Sequence, residues 1–294
     1  MNERRVIALG FFDGVHIGHG ALLKKTCERA TELGAIPAAM SFDTHPDTLV
    51  FGTPTELLNT MDERKQLMQS LYGIEDVIFC HFDKAMMNMD WEAFVEDYLV
   101  RELHACHLVC GHDYHFGARG FGNAERLTEK CRALSLGCDV IGEVKLDGVT
   151  VSSTYLRRLL KEGRMEEAEE MLGMPYTLVG AVEHGNHIGH TLGFPTVNLL
   201  PPAGKLLPPN GVYYAAVRHN GKVYKAISNV GTKPTVSSEK VMGVESYLYD
   251  FDQDIYGQEI EVALKRFRRP ERRFGSLEEL KEQLDRDIAD GRNA

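Results

Sequence analysis

Gly10-Phe11-Phe12-Asp13-Gly14-Val15-His16-Ile17-Gly18-His19 joins two segments of different period. Before it, Val6-Ile7-Ala8-Leu9 is a continuous apolar run that reads as a buried strand. After it, Leu22, Leu23, Cys27, Ala30 and Leu33 recur at helical spacing, and Gly34 stops the helix. The stretch is therefore a strand-to-helix turn. Its glycines let the backbone bend tightly and leave amide N–H groups open, and the positive end of a helix favours an anion. His16 and His19 stand three apart and project to one side of the first helical turn. Two imidazoles over such a helix end suit a reaction at phosphorus. Gly10, Phe12, Asp13, Gly14 and Gly18 around them are candidates for nucleotide and phosphate binding.

A lone His-x-x-His is more often a cap or a packed pair. Here strand, glycines, acid and helix fall in order, and the stretch resembles the signature of the nucleotidyltransferase superfamily, whose His-x-Gly-His binds a nucleotide triphosphate. That resemblance implies a reaction class and not a substrate.

Further along, residues 36–42 suggest a second strand, Asp62 opens a helix that Gly73 ends, and residues 77–80 form a third short strand. Residues 91–103 are amphipathic, with Trp91, Phe94, Val95, Tyr98 and Leu99 on the apolar side. A strand at 108–111, a glycine-rich loop at 112–122, a helix from Asn123 to about Leu136 and a strand at 139–144 follow. This alternation argues for a parallel sheet flanked by helices, a Rossmann-like α/β domain. Ser152, Ser153 and Thr154 precede a helix and read first as ordinary N-caps. With Arg157 one turn on, they also suit the second wall of a triphosphate site.

A charged helix over 157–172 ends at Gly173, and from Thr177 the pattern becomes short strands broken by Gly, Pro and Asn. Asn220-Gly221 between two apolar runs predicts a hairpin with a type I′ turn. Ser276 opens a final helix with a capping-box pattern. The expected architecture is a domain at 1–174 and, at 175–294, a small antiparallel β-barrel with a C-terminal helix. His-Ile-Gly-His recurs at 187–190, but the glycine and proline that follow prevent a helix, so the phosphate argument does not transfer. In Gly193-Phe194-Pro195-Thr196-Val197-Asn198, the Thr196 hydroxyl and Asn198 amide oxygen lie two residues apart and suit a hard cation such as Mg²⁺ with its phosphates. A carboxylate in the region of Glu245, Asp250, Asp252 and Asp254 can serve as a base for a substrate hydroxyl. The basic run from Lys265 to Arg273 reads as a solvated face.

Composition sets limits. The 294 residues suffice for two cores, and 43% hydrophobic with 26% charged residues is ordinary for a globular protein. A net charge of −10 argues against nucleic acid or an anionic membrane as the main partner. No apolar run reaches membrane-spanning length and no signal core follows Met-Asn-Glu-Arg-Arg, so a cytoplasmic protein is expected. The 6 cysteines, all in the first half, read as free thiols. Among them Cys106 and Cys110 mix with His104, His107, His112 and His115, but a strand there splits these zinc-type ligands between opposite faces.

Taken together, the motif at 10–19, then Gly111-x-Asp113-x-x-Phe116-Gly117, then Ser-Ser-Thr-x-x-Arg resemble the adenylyltransferase half of the bacterial bifunctional riboflavin kinase/FAD synthetase family. Pro195-Thr196-Val197-Asn198, the loop Asn229 to Thr235 and Glu245 with the following Asp-Phe-Asp-x-Asp-x-Tyr-Gly resemble the kinase half. The chain departs at Thr44, where the family usually has proline, and at His190, where it commonly has arginine. The resemblance implies riboflavin, FMN and ATP as partners, Mg²⁺ with ATP, and flavins as substrates and products. It implies Glu245 as catalytic base, His16, His19 and Arg157 as catalytic groups of adenylyl transfer, and Asp113, Phe116, Asn229 and Thr235 as flavin-binding. A monomer or weak homo-oligomer is expected. The alternatives are a flavin-binding regulator with lost catalysis, which tight flavin binding without ATP consumption would reveal, or a nucleotidyltransferase for another small phosphate ester.

Overall fold

The computed structural model describes residues 4–184, 194–234 and 240–293. They fall into two compact units, Met1–Ser153 and Thr154–Ala294. In the first, β1 (Arg5–Leu9), α1 (Ile17–Leu33), β2 (Ile36–Phe42), α2 (Met61–Tyr72), β3 (Asp76–Cys80), β4 (Ala105–Gly111), α3 (Ala124–Ala133) and β5 (Gly137–Ile141) build an α/β layer structure. The five strands are all parallel, in the order β3-β2-β1-β4-β5.

Strand alternation explains why both faces are covered. Ile7, Leu9, Met40, Leu108 and Cys110 pack on one side with Phe94, Leu99 and Leu127, while Val6, Ala8, Ala39 and Val109 pack on the other with Leu22, Leu23 and Met68. The strand order reverses between β1 and β4, and the carboxyl ends of strands at such a switch point form the usual ligand crevice. The amphipathic stretch is not one regular helix. Trp91–Ala93 is α-helical, but Phe94–Glu102 has wider turns, seen where Leu103 N–H donates to Tyr98 O at 3.0 Å. Phe94 and Tyr98 still stack, with ring centroids 5.8 Å apart, and Phe94, Val95 and Leu99 stay buried.

The charged helix expected over 157–172 is two: α4 (Ser153–Lys161) and α5 (Met165–Leu172). Gly163 adopts φ +73° and Arg164 N–H closes back on Leu159 O at 2.9 Å, a glycine stop inside the apparent run.

The second unit holds β6 (Tyr176–Glu183), β7 (Thr196–Leu199), β8 (Gly211–His219), β9 (Lys222–Pro234), β10 (Lys240–Leu248), β11 (Glu259–Pro270) and α6 (Leu277–Asn293). The strands close into an antiparallel barrel in the order β6-β7-β10-β9-β8-β11. Asn220 and Gly221 have φ +46° and +75°, as a type I′ turn requires. Ser276 accepts from Glu279 N–H at 3.2 Å, while the Glu279 carboxylate turns to Gly275 N–H at 2.9 Å.

The basic run is a solvated face at Lys265, Arg266, Arg272 and Arg273, which are exposed, but not throughout. Its first residues lie in the second half of β11, and Arg269 binds Asp287 of α6 at 2.6 Å, with Asp287 1% exposed. Arg268 reaches the same carboxylate at 3.4 Å and Arg266 pairs with Glu166 of α5 at 3.3 Å. These arginines fasten helices to the barrel. Among the described residues, no helix is long and apolar enough to cross a membrane.

Candidate active sites

The first-unit site grows from the loop between β1 and α1. Phe12 and Val15 hold φ +58° and +42°, unusual for residues with side chains, beside Gly14 at +88°. Burial keeps that shape in place. Phe12 is 0% exposed, and its ring lies where a Cβ on Gly10 would meet it at 3.1 Å. The Asp13 carboxylate faces into the protein and accepts from Leu58 N–H at 2.9 Å and Asn59 N–H at 3.0 Å, just before α2. The carboxylate thus holds the loop in place, its oxygens satisfying backbone amides. Ser153 Oγ donates to Asp13 O at 2.8 Å, so this hydroxyl ties the start of α4 to the same loop. Thr154 and Arg157 follow on α4.

His16 is the N-cap of α1, its Nδ1 accepting from His19 N–H at 3.2 Å. Because Nδ1 accepts, the proton of the neutral ring is on Nε2. The two imidazoles stack with centroids 3.6 Å apart and planes at 15°. A Cβ on Gly18 would stand 3.0 Å from His16 Nδ1, so glycine there makes room for the ring. Burial lowers the His16 pKa from 6.5 to about 4, against a raising influence from Asp113. Burial, then the charge of His16, pushes His19 well below its ordinary value. Both rings are neutral at pH 7.

That lowering has a stability consequence. Below pH 6.5 the unfolded His16 binds a proton that the folded ring refuses down to about 4, so stability is full above 6.5 and falls as pH drops through this window. The loss expected from His16 alone between pH 7 and pH 5 is about 2 kcal/mol, and the buried His19 adds to it in the same direction. Trp91 is the one tryptophan of the chain and lies in this unit, so urea unfolding read by its fluorescence reports the effect. His16→Asn keeps a cap but not the titration, and should remove the His16 share of that dependence while leaving what His19 contributes.

Asp113 follows the end of β4, and its Oδ1 would meet a Cβ on Gly111 at 3.0 Å. It is exposed, and its charge reaches His16. Phe116 packs into the core: it is 7% exposed, stacks on Tyr114 at 5.4 Å and packs with Phe94 at the same distance. Thr44, in place of the usual proline, hydrogen-bonds the Asp43 carboxylate, which also binds His81 Nδ1 at 2.6 Å.

Sequence reasoning missed Arg64. Its guanidinium is 0% exposed and donates to Phe11 O at 2.8 Å, Ser41 Oγ at 2.8 Å and Phe42 O at 3.0 Å, with the Phe11 ring 4.2 Å away. Burial lowers its pKa to about 10, so it remains a cation and braces the loop from behind. The acid at Asp62 early in the first turn located its helix, which the structure caps with a Thr60–Glu63 capping box, but no local pattern shows that Arg64 turns inward. Arg64→Met should destabilise this unit by about 3 kcal/mol, by stripping donors from buried carbonyls. Trp91-monitored urea unfolding at pH 7 checks it.

In the second unit, Thr196 Oγ1 donates to Glu245 Oε1 at 2.6 Å. Asn198 on β7 pairs with Glu245 on β10, and Glu245 pairs with Asn229 on β9. Three expected site residues thus form one row across adjacent strands. A pocket of about 620 Å³ lies over Thr196, Asn229, Glu245 and Tyr247 and is walled by Leu280, Leu284 and Ile288 of α6. A second, about 480 Å³, takes in Thr196, Asn198, Leu248, Phe251 and Ile255. Thr196 lines both. Gly193, Thr235 and His190 lie outside the described residues.

Comparison with known proteins agrees with this division. The family model for FAD synthetase matches residues 1–155, and that for riboflavin kinase matches residues 172–294. The bifunctional riboflavin kinase/FMN adenylyltransferase of Listeria monocytogenes is 34% identical over 290 residues, covering 98% of this chain and 91% of the relative. That of Bacillus subtilis is 32% identical, covering 97% and 90%, and that of Escherichia coli is 34% identical, covering 97% and 91%. A crystal structure of a macrolide-efflux protein from Streptococcus pneumoniae superposes with a TM-score of 0.89 at 27% identity, covering 100% of this chain and 95% of that one.

Proposed function

We infer the work of each unit from one premise: the chain belongs to the bifunctional riboflavin kinase/FMN adenylyltransferase family. It phosphorylates riboflavin with ATP to FMN, then adenylylates FMN with ATP to FAD and pyrophosphate. The FAD synthetase model ends at residue 155 and the riboflavin kinase model begins at 172, which supports kinase chemistry in the barrel.

The observation that carries the kinase assignment is the Thr196–Glu245 hydrogen bond where two pockets meet. Flavin in the larger pocket brings its terminal ribityl hydroxyl to Glu245, and ATP in the smaller one brings its γ-phosphate to the same point. A neutral alcohol is a weak nucleophile, so Glu245 takes its proton as the hydroxyl attacks. Thr196 orients that carboxylate. Hydroxyl and amide oxygens at Thr196 and Asn198 form a hard donor set fitted to Mg²⁺, and they would hold it. Bound there, Mg²⁺ neutralises charge on the ATP phosphates.

Adenylyl transfer needs no comparable base. A phosphomonoester's second pKa is about 6, so FMN arrives with a nucleophilic oxygen already ionised. The N–H groups of His16 and His19 then stabilise charge on the α-phosphate and the leaving pyrophosphate. Gly10, Gly14 and Gly18 keep the backbone close to the phosphates, with Asp113 beside the flavin phosphate and Arg157 a further phosphate ligand on the sequence pattern.

The test is to incubate the purified protein with riboflavin, ATP and Mg²⁺ and to separate the flavins over time. FMN first and FAD later is the expected course. FMN alone, with oxidised and with reduced flavin, would overturn the first-unit assignment. FAD formed only from supplied FMN would overturn the kinase assignment.

A further inference from the structure

Arg64 of α2 is a fully buried cation that, among the described residues, forms no ion pair. Its Nη1 donates to Phe11 O and Ser41 Oγ and its Nη2 to Phe42 O, all neutral acceptors, while the buried Nε has no partner. Asp13 and Asp43 act on it only at a distance. The Asp13 carboxylate is turned to the Leu58 and Asn59 amides, and that of Asp43 to His81 Nδ1. Ser41 Oγ also donates to Phe11 O at 2.8 Å, so this carbonyl has a donor without Arg64. A neutral side chain would brace the strand ends at lower cost, because a charge taken out of water is expensive unless an opposite charge meets it.

The place of the charge supplies the missing partner. Phe11 follows β1, Phe42 ends β2, and the guanidinium lies 4.2 Å from the Phe11 ring and 5.1 Å from the Phe79 ring of β3. Phe12, the next residue, meets the His19 ring with centroids 5.3 Å apart. Arg64 therefore stands one layer of side chains behind the His16–His19 pair. Burial keeps both imidazoles neutral at pH 7, so the pair itself brings no charge to a polyphosphate. A buried charge is screened little by salt. At roughly 10 Å and an effective dielectric constant of about 20, its attraction for one ligand charge is worth about tenfold in affinity. We propose that Arg64 is a contact-free counter-charge for the polyphosphate of ATP in the first unit, drawing the anion by its field from behind the loop. This rests on the assignment of adenylyl transfer to that unit.

The test compares ligands that differ in charge. Initial rates of FAD formation from FMN and ATP are measured on full-length protein, with pyrophosphate and adenosine as inhibitors. Arg64→Gln keeps amide donors but no charge. It should raise the inhibition constant of pyrophosphate about tenfold or more and leave that of adenosine within twofold. Arg64→Lys keeps the charge without the planar fork, and at pH 7 should hold pyrophosphate within threefold of the unaltered protein. Its amine also gives a reading if the glutamine variant does not fold. Burial lowers a lysine pKa, so between pH 7 and pH 10 pyrophosphate should weaken more in this variant than in the unaltered protein. The acids Asp13 and Asp43 and the histidines His16, His19 and His81 are common to both proteins and cancel in that comparison. A residue that only braces the loop would move both inhibitors together. Equal weakening of pyrophosphate and adenosine, no change in either, or a lysine variant with the glutamine variant's weakness or with no added pH dependence would overturn the proposal. Absence of FAD formation by the unaltered protein would instead overturn the assignment of the unit, a separate result.

Discussion

Glu245→Gln is expected to lower the turnover of riboflavin phosphorylation by about 10²–10⁴-fold, the range that a positioned general base contributes. The exchange is narrow. A glutamine oxygen still accepts the Thr196 hydroxyl, which now stands 2.6 Å from Oε1, and the volume hardly changes. The barrel row through Asn198 and Asn229 rests on backbone pairing and is left in place. What disappears is the ability to take a proton from the attacking hydroxyl. The loss should therefore fall on kcat, with KM for riboflavin and ATP changed little, since an interaction made only in the transition state has been removed. FMN supplied directly should still become FAD, because that reaction belongs to the other unit. Steady-state kinetics with separated flavins checks both halves. A fall below tenfold would remove Glu245 as the base and turn attention to Asp252 and Asp254, which line the smaller pocket.

Much of this was legible in the chain because it depended on local pattern. The β1–α1 turn follows from four apolar residues, a set of glycines and a helical repeat, and Asn220-Gly221 has one favoured backbone solution. Glu245 reached the base position through family resemblance, since among several nearby carboxylates residue type alone left the choice open. Its bond to Thr196 required two strands 49 residues apart to pair. Other features depended wholly on such meetings. Asp13 reads as a phosphate-loop acid, yet its partners Leu58 and Asn59 lie on a distant segment. Arg64 and Asp287 are charged residues on helices that look solvated in sequence, and only tertiary partners explain their burial. The basic run is the clearest instance. Its charge is visible at once, but the acids of α5 and α6 that occupy it are not adjacent in sequence. Glycine 163 adds a different lesson, since a helical charge pattern continues across it while the backbone does not.

His16→Asn should lower FMN adenylylation by about 10²–10³-fold, the cost of removing one aligned donor from a transition-state oxyanion site. Asparagine is chosen because it separates two roles of the ring. His16 caps α1 through Nδ1, and an asparagine oxygen can accept the same His19 N–H, so the helix keeps its start. The Nε2–H donor has no counterpart in the shorter side chain. Stability at pH 7 should thus hold while catalysis fails. With riboflavin and ATP the variant should accumulate FMN and stop, the converse of Glu245→Gln. Gly18→Ala approaches the same group by another route. Its new methyl would lie 3.0 Å from Nδ1 and 3.1 Å from Cε1 of His16, so the imidazole must tilt away from its stack on His19. A displaced donor costs less than a missing one, and a fall of about tenfold is expected, again without loss of FMN production. If Gly18→Ala reduced stability as much as activity, the close approach would be serving the helix cap and not the reaction. If His16→Asn retained FAD formation, charge stabilisation would have to come from the loop amides and helix end alone.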